Sequence, residues 1–170
     1  LLSANKNFNL ISKQIIRYDP KYFVITNNNI FKKIKKKFRK KKVQILNNFD
    51  SLKLKKSDIT ISAIPGIAGL KPTINIIKHS KKLLIANKES VICGWELIKK
   101  IASKNKTRII PIDSEHFSIQ KLLEKHELRE IKKIYITASG GPFLNYKLHQ
   151  FKNISPKDAL KHPKWKMGKK

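Results

Sequence analysis

The chain has 170 residues, 40% of them hydrophobic, and its 39 Lys and Arg against 11 Asp and Glu leave a formal charge of +28. That length suits one domain, or one domain and part of another, with apolar residues enough for a packed core. No apolar run comes near the ~18 residues of a membrane span, and the single cysteine excludes an intramolecular disulfide framework.

The chain opens on Leu1-Leu2-Ser3-Ala4-Asn5-Lys6, with neither an initiator Met nor the basic-then-apolar order of a secretion signal. The natural N-terminus is therefore expected to lie elsewhere, and a reducing cytoplasmic setting is the simplest one. Helical stretches and short β-branched runs then alternate. Helices are expected over 8–18, 30–41, 51–56, 71–79, 89–103 and 117–125. Strands are expected over 22–26, 43–46, 59–64, 82–86, 108–112 and 131–138. The densest Lys block, 32–42, carries Ile34 and Phe38 at four-residue spacing, the pattern of a solvated amphipathic helix. Lys, Ile and Asn are abundant along the whole chain, as AT-rich coding would produce. The charge thus predicts general adhesion to polyanions at low salt, not a specific nucleic-acid partner. Cys93 lies in the apolar Val91-Ile92-Cys93-Gly94-Trp95 and reads as a buried, inert thiol.

Alternating strands and helices predict a doubly wound parallel α/β sheet. Beyond about Ile112 the loops lengthen and Gly and Pro gather, which sets an expected boundary between 1–112 and 113–170. Ligands of such sheets bind beyond the carboxyl ends of the strands. The segments found there are Pro65-Gly66-Ile67-Ala68-Gly69, Asn87-Lys88-Glu89-Ser90, Asp113-Ser114-Glu115-His116 and Ser139-Gly140-Gly141-Pro142. All are polar or glycine-rich.

Each segment has two readings. In an extended segment, Asp113 and Glu115 would point to one side and offer hard oxygen ligands to Mg²⁺ or Mn²⁺. As a helix start, Asp113 or Ser114 would be an N-cap with acids on the dipole, and the triplet alone favours this. Lys88 suits a substrate oxygen, with Asn87 and Glu89 facing a polar ligand; an Asn87 cap with an acidic first turn fits as well. The two glycines after Ser139 allow a phosphate cradle or a plain turn. His162-Pro163-Lys164-Trp165-Lys166-Met167-Gly168 suits a lid in which Trp165 excludes water, or a loop anchored by that Trp.

Five segments together carry a resemblance. They are Ala63-Ile64-Pro65-Gly66-Ile67-Ala68-Gly69-Leu70, Ala86-Asn87-Lys88-Glu89-Ser90, Pro111-Ile112-Asp113-Ser114-Glu115-His116, Thr137-Ala138-Ser139-Gly140-Gly141-Pro142-Phe143 and His162 to Gly168, with Ala4-Asn5-Lys6-Asn7 near the start as a further match. In order and spacing the five resemble the successive signatures of the 1-deoxy-D-xylulose-5-phosphate reductoisomerase family. Five of the six glycines fall within them.

The resemblance implies a Rossmann-like NADPH-binding domain, incomplete at its start, followed by the beginning of an α/β catalytic domain. It implies NADPH-dependent rearrangement and reduction of 1-deoxy-D-xylulose 5-phosphate to 2-C-methyl-D-erythritol 4-phosphate, in non-mevalonate isoprenoid biosynthesis. Asp113 and Glu115 are implied as ligands of a divalent metal, Mg²⁺ or Mn²⁺. Lys88 and Ser114 are implied on the substrate's oxygens, Ser139 on its phosphate, and His162 and Trp165 over it from the lid. Lys88, Asp113, Glu115 and His162 form the implied catalytic set. Asn5, Lys6, Asn7, Asn87, Glu89 and Gly168 are implied on the cofactor. Asn5 stands where the family often has Gly, and Lys6 suits a 2′-phosphate, hence NADPH.

Two family segments are not in this sequence: a GxTGSxG-type turn, expected before Leu1, and a SATMMNKGLE-like segment, expected after Lys170, with a third metal carboxylate. These 170 residues are accordingly expected not to turn over alone, and the full-length protein is expected to be a homodimer without membrane association. The competing readings are a basic nucleic-acid-binding domain, which leaves the Asp-Ser-Glu and Ser-Gly-Gly-Pro segments unexplained, and another NAD(P)-dependent dehydrogenase on the same sheet.

Overall fold

A computed structural model describes residues 1–50, 52, 54–136 and 141–161. The chain divides into two compact units, Leu1–Ser57 and Asp58–Lys170. Both have the expected α/β, Rossmann-like character.

The first unit runs β1 (Leu2–Ala4), α1 (Phe8–Tyr18), β2 (Tyr22–Ile25), α2 (Asn28–Lys37) and β3 (Gln44–Leu46). The strands form a parallel sheet in the order β1-β2-β3, with Ser3 opposite Val24 and Phe23 opposite Ile45. Each helix is the crossover that a parallel pair needs. Asn7 and Asn27 cap the helices by accepting from the amides of Leu10 and Ile30, at 3.0 and 3.1 Å. Ile11 and Ile15 of α1, Phe23 and Ile25 of β2, and Ile34 of α2 pack into one core with Phe38 and Val43. The lysines of the 32–42 block flank that apolar stripe. Lys37 bends back over the Phe8 ring and donates to Ser12 Oγ at 3.2 Å.

The second unit runs β4 (Ser57–Ser62), a 3₁₀ turn (Ile67–Gly69), α3 (Leu70–Ile77), β5 (Ser80–Ile85), α4 (Lys88–Lys104), β6 (Arg108–Pro111) and α5 (Ser114–Leu123). The strand order is β4-β5-β6, and β5 pairs in parallel with β6, Ile85 lying opposite Pro111. Ile76, Ile77, Leu83, Ile85, Ile98 and Ala102 are buried. Buried hydroxyls join the elements. Ser62 Oγ and Thr73 Oγ1 lie 2.6 Å apart, and Thr73 Oγ1 donates to Gly69 O at 2.7 Å. Thr107 Oγ1 lies 2.9 and 2.8 Å from the carbonyls of Ile77 and Ser80, which a single hydroxyl hydrogen shares.

Beyond α5 the structure is short 3₁₀ turns (Leu128–Glu130 and Leu148–Asn153) and α6 (Pro156–Ala159), capped by Ser155. Phe143, Tyr146 and Phe151 stack edge to face there, with centroids 5.2 to 6.4 Å apart.

Several expectations are corrected. No strand forms over 131–136, where Ile134, Tyr135 and Ile136 are exposed. Alternating β-branched residues stay extended only with a neighbouring ladder, and none of the described residues supplies one. The expected helix over 51–56 is not seen at its described residues, where Leu52 instead buries its side chain. A three-residue strand, β1, was not anticipated. Cys93 is exposed, not buried. The inward stripe of α4 runs Ser90, Gly94, Ile98, Ala102, one residue per four, and Cys93 falls outside it. Gly94 lies against the end of the Leu70 side chain, whose Cδ1 would stand 2.5 Å from a Cβ at that position.

Burial separates two apolar side chains of the first unit. Phe23 is fully buried and Ile16 is 63% exposed. Phe23→Ala is expected to destabilise the protein by about 3–5 kcal/mol in urea unfolding, and Ile16→Ala by no more than about 0.5 kcal/mol.

Candidate active site at the tips of β5 and β6

Parallel pairing brings the carboxyl ends of β5 and β6 side by side. Ile112 N donates to Ile85 O at 2.9 Å, one step past the ladder. From these two tips the helices α4 and α5 begin, so their first turns are neighbours by construction.

At the first tip, Asn87 is the N-cap of α4 and is 4% exposed. Its Oδ1 accepts from Ser90 N at 2.5 Å, and its Nδ2 donates to Gly66 O at 2.9 Å and to Ile64 O. Lys88 follows at the first helical position with its side chain about half exposed. Glu89 lies in the first turn, half-buried. Ser90 is fully buried, and its Oγ has no hydrogen-bond partner among the described residues.

At the second tip, Asp113 is the N-cap of α5, and Ser114 and Glu115 are its first two helical residues. The segment is thus a helix start and not the extended stretch on which same-side carboxylates were argued. Cap geometry wins because Asp113 accepts from His116 N at 3.2 Å. The ring of His116 lies against the same carboxylate, its Nδ1 at 2.7 and 2.6 Å from the two oxygens. The sequence reading missed this partner; an Asp followed three residues later by a His at a helix start is the signal that would have found it. Ser114 Oγ donates to Glu115 Oε2 at 3.1 Å.

The tips meet through Lys88 Nζ and Glu115 Oε1, 3.7 Å apart. With both groups partly exposed to water, such a pair adds little to stability. Its importance is geometric: an amine and a carboxylate from different strand ends face one space. Glu115 is held below its ordinary carboxylate value, first by its own backbone N–H, then by the Ser114 hydroxyl, then by the Lys88 charge. A lowered folded value means that folding favours the ionised form. The associated stability is present above the ordinary glutamate range and is lost as pH falls through the depressed value.

The donor set suits a hard divalent ion, since Asp113 and Glu115 both offer carboxylate oxygens. Among the described residues no group of three or more His, Cys, Asp or Glu is placed to hold a metal.

Asn5, Lys6 and Asn7 lie in the first unit, exposed at the carboxyl end of β1, with Asn7 committed to its cap. Ser139, His162, Trp165 and Gly168 lie outside the described residues. A groove of about 640 Å³ opens in the first unit, lined by Phe8 and the cations Lys33, Lys36, Lys37, Arg39 and Lys40. It holds none of the candidate site residues, which are placed here by strand-tip chemistry instead of concavity. No helix among the described residues is long and apolar enough to cross a membrane.

Removing the Ser114 hydroxyl or the Lys88 charge is expected to raise the Glu115 pKa toward its ordinary value. Side-chain carboxyl NMR titration checks this: Ser114→Ala and Lys88→Met are each expected to shift the midpoint upward, and no movement in either would contradict the assigned causes.

Comparison with known proteins agrees along the chain. Residues 1–94 match the family model for 1-deoxy-D-xylulose 5-phosphate reductoisomerase, and residues 109–170 match the model for that enzyme's C-terminal domain. The 1-deoxy-D-xylulose 5-phosphate reductoisomerase of Pelagibacter ubique is 51% identical over 100% of this chain and 45% of its own length. That of Wolbachia pipientis from Culex pipiens is 43% identical over 99% of this chain and 44% of its own length. The chain thus spans a little under half the length of these curated relatives. Among solved structures, the Zymomonas mobilis reductoisomerase in complex with NADPH superposes with a TM-score of 0.79 at 30% identity, covering 94% of this chain and 43% of that one. A DOX-P reductoisomerase in complex with NADPH, fosmidomycin and magnesium superposes with a TM-score of 0.72 at 29% identity, covering 98% and 44%.

Proposed function

The chain belongs to the 1-deoxy-D-xylulose 5-phosphate reductoisomerase family, and on that premise we propose that its protein converts 1-deoxy-D-xylulose 5-phosphate to 2-C-methyl-D-erythritol 4-phosphate with NADPH and a divalent metal. The observation that carries the reading is the approach of Lys88 to Glu115 at 3.7 Å from adjacent strand tips. It brings an amine and a carboxylate, with the Ser114 hydroxyl on that carboxylate, to the place where an α/β sheet binds ligands.

Asp113 and Glu115 would hold Mg²⁺ or Mn²⁺. A bound divalent ion supplies charge to adjacent substrate oxygens, and NADPH supplies the hydride for the reduction. Lys88 Nζ, carried on a flexible stem at the helix start, donates to a substrate oxygen and fixes its direction. Ser114 does the same from the neighbouring helix, and both act by orienting the reacting carbons. Ser139 grips the substrate phosphate, and His162 and Trp165 close over it, so binding energy from the remote phosphate assembles the site. Asn5, Lys6, Asn7, Glu89 and Gly168 line the cofactor site, with Lys6 at the 2′-phosphate and Asn87 standing behind it. The residue-by-residue motif match supports these roles.

We place the boundary between cofactor and catalytic parts near Ile112; the family's C-terminal model, which begins at residue 109, supports this. We further propose a cytoplasmic homodimer, and a basic surface that takes up polyanions without sequence preference.

In the full-length protein, Asp113→Asn and Glu115→Gln are each expected to lower kcat/KM in NADPH-oxidation assays by about 10³-fold, the several kcal/mol that a Lewis acid supplies. The 170 residues by themselves are expected to show no turnover, because two carboxylates hold a divalent ion weakly. Measurable oxidation of NADPH by the isolated piece would contradict that.

A further inference from the structure

Asn87 sits between two segments that the site needs. On one side is the turn from Ile64 to Gly69, in which Gly66 has φ 70° and ψ −173°, a conformation open to glycine. On the other is the first turn of α4, which carries Lys88. The side-chain amide is spent between them. Both hydrogens of Nδ2 have carbonyl partners, Ile64 O and Gly66 O, and Oδ1 takes the Ser90 amide. An amide nitrogen has only two hydrogens to give. The orientation follows from the partners, because a flipped amide would set its oxygen against two carbonyls and its nitrogen against an N–H.

The packing is equally close. A Cβ on Gly69 would stand 2.5 Å from Asn87 Nδ2 and nearer still to Ile64 O. The far side of the turn is tied down too, through Thr73 Oγ1 to Gly69 O. Thr73 in turn meets Ser62 Oγ at the end of β4. The turn is therefore held from both sides, and one buried side chain hydrogen-bonds it to the start of α4.

We propose that Asn87 is a positioning residue: its side chain clamps the 64–69 turn to the start of α4, and so aims Lys88 at the space beside Glu115, without itself donating to a ligand. Asn87 then contributes to the cofactor site through the turn that it holds in place. Gly69 belongs to the same clamp, as the residue small enough to let turn and amide meet. The inference rests on the placement of Lys88 in the active site.

The test separates clamp from cap. Serine caps a helix about as well as asparagine but is too short to reach the two carbonyls. In the full-length protein, Asn87→Ser is expected to lower kcat by about tenfold or more, since misaimed groups cost rate steeply, while the KM for NADPH stays within about threefold. Gly69→Ala attacks the same contact from the other side, so the double variant is expected to be no worse than the poorer single one. Wild-type kcat in Asn87→Ser would overturn the clamp. So would a rise confined to the NADPH KM, which means direct ligand contact, or losses that multiply in the double variant. Lys88→Met, assayed alongside, keeps the underlying reading distinct. If Lys88→Met loses turnover and Asn87→Ser does not, the clamp alone falls. If Lys88→Met turns over normally, the placement of Lys88 falls, and the clamp with it.

Discussion

The site depends on one constraint, the parallel pairing of β5 with β6. Register puts Ile85 opposite Pro111, and the bond from Ile112 N to Ile85 O carries the pairing past the last ladder position. Everything after those residues follows. Two helices begin within a few residues of the tips, because each capping residue, Asn87 or Asp113, comes two positions after the last residue of its strand. The first turns then present Lys88 and Glu115 to each other. Slipping the register by one residue would turn each strand's side chains to the opposite face, and the strand could not then bury Leu83 and Ile85.

Burial and capping locate the tips, and polar chemistry finishes them. Hydroxyls of Ser62, Thr73, Ser80 and Thr107 replace apolar contacts inside the second unit and tie helix ends to strand ends. A buried hydroxyl costs stability unless it is paired, so these bonds specify where each element stops. The large positive charge plays no part in this arrangement. It lies on faces such as that of α2, around an apolar stripe set by Ile34 and Phe38.

Much of this was legible in the residues. Five strands and the helices beginning near Phe8, Asn28, Leu70 and Lys88 follow from β-branched runs and four-residue spacing, because those patterns report the burial that holds the elements. The motif positions also pointed to the strand tips, since polar and glycine segments recur after each strand. What failed was whatever depends on a distant neighbour. Ile131 to Ile136 looks like a strand but has no ladder among the described residues. Leu2 to Ala4 is too short to announce itself, and only its partner β2 makes it a strand. Cys93 sits in an apolar run, yet its helical phase turns it outward. Asp113 to Glu115 was legible as a helix start, the reading that the triplet alone favoured; the His116 ring on the Asp113 carboxylate was not. Asn87 was legible as a cap; its two carbonyl partners, more than twenty residues earlier, were not.

The proposed function requires the tips of β5 and β6 to form a single oxygen-rich site able to take a divalent ion. Titration of Mn²⁺ into ¹⁵N-labelled protein, read by paramagnetic broadening of amide signals, tests it most directly. Broadening is predicted first at 113–116 and at 87–90, and only later along α2. Broadening that spares either tip, or that begins elsewhere in the chain, would contradict the claim.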